Sequence, residues 1–172
     1  QSLNMFSKKD TYTFICNNTH LAASNMRAVL ENATPHATVI GIPYQQGGPV
    51  CSIREALKHH DFIKDNKPLL ISYCDFGAWW DYDDFKHHLN QRNCDGCIPS
   101  YKGFHPHHLG KDHYGYMTCD ANNNMLEIKE KEPFTANKMQ EHAAAGMYYF
   151  NTGTTYLAYA QEIITRNIHK NG

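Results

Sequence analysis

The sequence lacks an excess of charge of either sign: 16 lysines and arginines stand against 17 aspartates and glutamates, a formal net charge of −1. No basic stripe of the kind that neutralises a phosphate backbone is present, so nucleic acid is not an expected partner. Missing too is any apolar run near the roughly 20 residues a helix needs to cross a bilayer. The opening QSLNMFSKKD has none of the features of a secretory leader. A cytoplasmic protein that does not enter a membrane is therefore expected. There are no internal repeats and no low-complexity linkers. What remains is 172 residues, 41% of them hydrophobic, enough to bury one sizeable core and usual for a single α/β domain spanning residues 1–172.

Metal-ligand spacing is scarce among the cysteines. Cys16, Cys51, Cys74 and Cys119 lie mostly in apolar segments, where a thiol acts as a small hydrophobe. Only Cys94-Asp95-Gly96-Cys97 has ligand-like spacing, and His105, His107, His108 and His113 follow it. A zinc-stabilised domain is one reading of that group. The other is a set of reduced, structural thiols, favoured because a second CxxC is absent.

The apolar pattern is organised as strand followed by helix. Thr11 to Cys16 (TYTFIC) is β-branched and aromatic, and Asn17-Asn18-Thr19 supplies caps for a helix over Leu21 to Glu31. Thr38 to Ile42 (TVIGI) predicts a second strand, followed by a glycine-containing loop and a helix over Val50 to His59. Leu69 to Tyr73 (LLISY) is apolar enough for a central strand covered on both faces, and Tyr82 to Arg92 predicts the next helix. Asp81, Asp83 and Asp84 open that helix and suit its N-terminal cap and dipole. Three consecutive βα units predict a doubly wound, mostly parallel Rossmann-like sheet. The second half is mixed: short strands over Gly96 to Tyr101, Gly115 to Thr118, Met125 to Lys129 and Ala144 to Phe150, then a closing helix from Gly153 to Ile168. Ser2 to Phe6 reads as the end of a helix.

Ligands of open parallel sheets collect beyond the carboxyl ends of the strands, which directs attention to the polar residues after each apolar run. After TVIGI come Gln46, Gly47 and Gly48: an amide that can read a base edge, and glycines that let a base lie on the backbone. An ordinary turn fits the same residues. After LLISY comes Asp75, a lone carboxylate suited to a hard divalent cation or to capping the next element. Later, Glu130 can accept hydrogen bonds from hydroxyls, Lys131 can neutralise a phosphate as a point charge, and Gly146 allows close backbone approach to a sugar ring.

These segments together resemble the sugar-phosphate nucleotidyltransferases, which join a nucleoside triphosphate to a sugar 1-phosphate and release pyrophosphate. The resemblance covers most of the chain. It implies base contact by Gln46, Gly47 and Gly48, magnesium on Asp75, and sugar contacts at Tyr114-Gly115 and Gly146. It further implies sugar hydroxyls on Glu130 and the sugar phosphate on Lys131, so that Lys131 and Asp75 carry the chemistry. The family's glycine-rich, arginine-containing loop has no counterpart, so the sequence reads as the middle of a longer enzyme, truncated at both ends. The implied partners are a nucleoside triphosphate and a sugar 1-phosphate, in the setting of polysaccharide biosynthesis, with a homo-oligomer left open. Two rivals stand beside this reading: a nucleotide-sugar-dependent glycosyltransferase, and a non-catalytic fragment that binds nucleotide sugars.

Overall fold

A computed structural model of the chain describes residues 2–34, 36–64 and 66–169. After a 3-10 turn at Ser2–Met5, the elements in chain order are β1 (Thr13–Asn17), α1 (Asn18–Ala23), α2 (Met26–Ala33), β2 (Thr38–Ile42), α3 (Gly48–Leu57), β3 (Leu69–Ser72) and α4 (Tyr82–Arg92). The second half follows with β4 (Gly96–Cys97), β5 (Ser100–Tyr101), β6 (Gly115–Cys119), β7 (Met125–Glu130), β8 (His142–Ala144), β9 (Met147–Phe150) and α5 (Gly153–Thr165). They divide into two compact units. One holds Phe6–Lys67 with the chain from Thr152 on, here the βα unit; the other holds Pro68–Asn151 with the residues up to Met5, here the sheet unit.

In the βα unit, β1 and β2 run parallel with Thr13 opposite Thr38 and Ile15 opposite Ile40. Ile40, Ile42 and Ala56 form its core, with Ile15 and Phe62 packed against them. The helix expected over residues 21–31 is two helices, because Ser24 interrupts it. Its hydroxyl donates to the His20 carbonyl at 2.7 Å and accepts from Met26 N–H at 3.3 Å, drawing the backbone out of the helical ladder. Asn17 caps α1 as expected, accepting from Thr19 N–H at 2.8 Å. Gly153 opens α5 where a side chain would run into the Lys64 carbonyl oxygen, so the start of that helix is held against the chain leading to Lys67.

The sheet unit overturns the expectation of a doubly wound, mostly parallel sheet. Among the described residues only β1 and β2 are parallel; β3 pairs antiparallel with β9, Leu70 opposite Tyr149. The unit contains two antiparallel sheets, ordered β3-β9-β4 and β5-β8-β6-β7. A strand–helix–strand spacing identifies strands but does not choose their neighbours, and the aromatic strand β9, nearly 80 residues downstream, takes the edge that a third parallel strand would need. β3 is accordingly half-buried along its length rather than covered on both faces.

The two antiparallel sheets share one ribbon. The chain crosses from β4 to β5 through Ile98-Pro99 and from β8 to β9 through Ala145-Gly146, and the crossings are joined by Ala145 N–H donating to the Pro99 carbonyl at 2.9 Å. On the other flank of that ribbon, β3 pairs with β9 and β6 pairs with β8. The two strands therefore meet the ribbon on either side of Gly146. Small residues make room for a large one here: Tyr116, fully buried, stands opposite Ala143 in the ladder. Its hydroxyl donates to Asp112 at 2.9 Å, and Lys138 holds the same carboxylate oxygen at 2.8 Å. Asp81 caps α4 by accepting from Asp84 N–H at 2.9 Å, as its place before the helix implies. Among the described residues, no helix is long and apolar enough to cross a membrane.

Candidate functional site

Where β3 and β6 part from the ribbon they leave a cleft. It is lined by Tyr73, His113, Tyr114, Gly115, Glu130, Ala144, Gly146 and Tyr148, and encloses about 250 Å³ of empty space, its open mouth included.

The floor is backbone. Gly146 has φ +68°, in the left-handed region that costs a side-chain-bearing residue roughly 1–2 kcal/mol. A Cβ there would stand 3.3 Å from Tyr73 Cδ2. The glycine carbonyl accepts from Tyr73 N–H at 3.0 Å, extending the β3–β9 pairing by one residue and bringing the tyrosine to the rim. Gly115 sits opposite Glu130 in the β6–β7 ladder, and a Cβ on it would lie 3.5 Å from Glu130 Oε2. The glutamate carboxylate thus lies along the glycine face of the cleft.

The walls are phenols. Tyr73 and Tyr148 have ring centroids 6.1 Å apart, and their hydroxyls are hydrogen-bonded to each other. Burial, then the charge of Glu130, raises the Tyr73 hydroxyl above the ordinary phenol value, while the bond to Tyr148 works the other way. Burial also pushes Tyr148 well up, with Tyr73 and Glu130 adding to it. Both phenols are therefore neutral at physiological pH, able to donate as well as accept, beside a carboxylate that only accepts. Tyr114 stacks edge-on against Tyr101 at 6.3 Å and His105 at 5.8 Å, which fixes its ring from behind.

The basic group stands at the edge. Lys131 follows β7 directly with φ +56°, its N–H donating to the Tyr114 carbonyl at 3.0 Å and its Nζ 3.8 Å from Glu130 Oε1. An ion pair this exposed holds the two side chains loosely, so the ammonium is free to exchange its partner for an anion.

Of the residues singled out by sequence, Tyr114, Gly115, Glu130 and Gly146 line this one cleft, and Lys131 adjoins it. Asp75 is exposed two residues beyond Tyr73, and its charge contributes to raising that phenol. A lone carboxylate fits a magnesium ion that takes its other ligands from water and phosphate oxygens. Gln46, Gly47 and Gly48 are exposed residues of the βα unit. Their glycines have local causes there: a Cβ on Gly47 would crowd Cys51 Sγ at 2.6 Å, and Gly48 has φ +76° at the start of α3. Cys94 and Cys97 gather no third ligand, since no group of three His, Cys, Asp or Glu suited to a metal occurs among the described residues. Burial raises the Cys97 thiol to about 11.

Sequence reasoning did not place Tyr73, Tyr148 or His113 at the wall of this cleft. Tyr73 closes the apolar run LLISY, and an aromatic residue with a polar tip at the end of a strand is the signal that would have found it. Comparison with protein-family models and with curated proteins returns no match.

Proposed function

We propose that the chain is the catalytic part of a sugar-1-phosphate nucleotidyltransferase, with the cleft at Gly146 as its sugar-phosphate site. The observation that carries this reading is the meeting of a carboxylate, two neutral phenols and two glycine backbones in one open cleft, with an ammonium at its edge. Glu130 accepts from vicinal hydroxyls, Tyr73 and Tyr148 donate or accept as the hydroxyl pattern requires, and the Tyr114 ring packs on the apolar face of the sugar. Lys131 leaves Glu130 for the sugar phosphate.

Chemically, an oxygen of the sugar phosphate attacks the α-phosphorus of the nucleoside triphosphate in line. The new P–O bond forms as the bond from the α-phosphorus to the bridging oxygen breaks, and pyrophosphate leaves with that electron pair. No covalent intermediate on the protein is needed, so the contribution of these residues is positioning and charge neutralisation. Asp75 would hold a magnesium ion, which when bound supplies further neutralisation of phosphate charge. The reading does not depend on a parallel sheet, since every residue of the sugar-phosphate site lies in the sheet unit.

The test is pyrophosphate release on mixing nucleoside triphosphates with a panel of sugar 1-phosphates. Release is expected with at least one pair, and Lys131→Ala should reduce it by a factor of about 100 or more, the size of a lost charge contact in the transition state. Saturable binding of nucleotide sugars without any pyrophosphate would replace this reading with that of a binding module.

A further inference from the structure

Two thiols come together on the face of the sheet unit turned away from the cleft. Cys97 lies opposite Tyr149 in the β4–β9 ladder, and directly opposed residues of an antiparallel pair share a face. Tyr149 packs edge-on against Phe85 of α4 at 6.2 Å, so that face is the one α4 covers. Tyr148, the next residue along β9, lines the cleft on the other face. Cys94 reaches the same place from the helix itself, two residues past the end of α4 at Arg92. Both cysteines are half-buried free thiols.

The chain between them is bent and held. Fully extended, three residues span about 10 Å, beyond the roughly 4.4–6.8 Å that separates the Cα atoms of a disulfide. Here Asn93 closes α4 in the left-handed conformation at φ +47°, and the backbone bends at Asp95. Asn151, the residue after β9, fixes that bend twice: its N–H donates to the Asp95 carbonyl and its side-chain amide to the Asp95 carboxylate, each at 3.0 Å. Gly96 lets β4 lie close to β9, since a Cβ on it would stand 3.3 Å from the Tyr149 carbonyl oxygen. The sulfurs are near enough to interact: the charge of Cys94 adds to the burial that raises the Cys97 thiol, and both add to the burial that raises the Tyr149 phenol.

Among the described residues no third ligand joins the pair to hold a metal, which leaves the two thiols their own chemistry. We propose that Cys94 and Cys97 are a redox-active dithiol, converted to an intrachain disulfide by small-molecule disulfides of the glutathione type and converted back by the corresponding thiols. Cys94 acts first, because burial keeps Cys97 protonated. Its thiolate attacks one sulfur of the incoming disulfide; the new S–S bond forms as the old one breaks, and one small thiolate leaves with the electron pair and takes up a proton. With the Cys94 charge gone and Arg92 favouring the thiolate, Cys97 then loses its proton and attacks Cys94 Sγ, and the second small thiol leaves with that proton. The protein thiols lose two electrons and the incoming disulfide gains them. Since the pair faces away from the cleft, this chemistry holds whether or not the cleft transfers nucleotides.

Trypsin supplies the readout, because the peptide from Asn93 to Lys102 carries both cysteines and no other. The full chain is equilibrated at fixed reduced glutathione with increasing oxidised glutathione, quenched, alkylated, digested and weighed. The peptide should pass from doubly alkylated to unalkylated and two hydrogens lighter. The folded chain should reach its midpoint at least about tenfold lower in oxidised glutathione than the same chain in urea, where nothing holds the bend. Cys97→Ser should trap one glutathione on Cys94, whereas Cys94→Ser should leave Cys97 open to alkylation. Circular dichroism reports whether each variant is folded, and the parent's two midpoints decide if neither is. A peptide that stays doubly alkylated at the most oxidising point, one that carries glutathione on both cysteines, equal midpoints with and without urea, or a folded Cys94→Ser variant that takes up glutathione as readily as Cys97→Ser would each overturn the proposal.

Discussion

β2 and β3 are near twins as segments: each is a short apolar strand, followed by a polar loop and then a helix of ten or eleven residues. β2 pairs parallel with β1, and its Ile40 and Ile42 are buried against Ala56 of the following helix. β3 pairs antiparallel with β9 and is half-buried throughout. The difference lies in what each strand meets. β2 is covered by helices close to it in sequence, whereas β3 borders a ribbon built from the far end of the chain, and where that ribbon turns at Gly146 the strand pairing opens into a cleft. Packing dominates one region, and backbone conformation the other.

That contrast can be broken from either side. The largest effect is expected from Ile40→Ala, which deletes the best-buried side chain of the βα core; it should cost about 3 kcal/mol, as large-to-small changes in cores do. Hydrogen exchange should show the lost protection concentrated in residues 13–17 and 38–42. Gly146→Ala adds only one methyl group, yet it must adopt φ +68° and crowd Tyr73. Partly offset by a less flexible unfolded chain, it should cost about 1 kcal/mol. The same exchange measurement should place its loss in residues 69–73 and 147–150. Equal spread of either change over both units would contradict the division of labour.

Local elements were legible in the sequence because their causes are local. Asn17 and Asp81 cap their helices through their own side chains. The sheet was not legible in the same way. Nothing in LLISY distinguishes a strand awaiting a parallel neighbour from one paired with MYYF, since both need the same apolar, β-branched or aromatic residues. Ser24 shows the same limit on a smaller scale: its hydroxyl breaks a helix only because it captures His20 and Met26 together. As for the cleft, the polar residues and glycines stood out singly by their chemistry. The tyrosines that wall it read as ordinary core, because their role depends on Tyr73 and Tyr148 meeting across strands whose pairing the sequence leaves open.

The central claim is that Lys131, beside this cleft, receives a sugar phosphate. Lys131→Gly separates that role from folding, because glycine suits φ +56° and the substitution should leave thermal stability nearly unchanged. Calorimetric titration with the sugar 1-phosphate that supports pyrophosphate release, and with the same sugar lacking its phosphate, is the direct measurement. The parent should bind the phosphorylated sugar at least about tenfold more tightly, a difference of about 1.4 kcal/mol, and Lys131→Gly should erase that preference while still binding the free sugar. Equal preference in parent and variant would contradict the assignment.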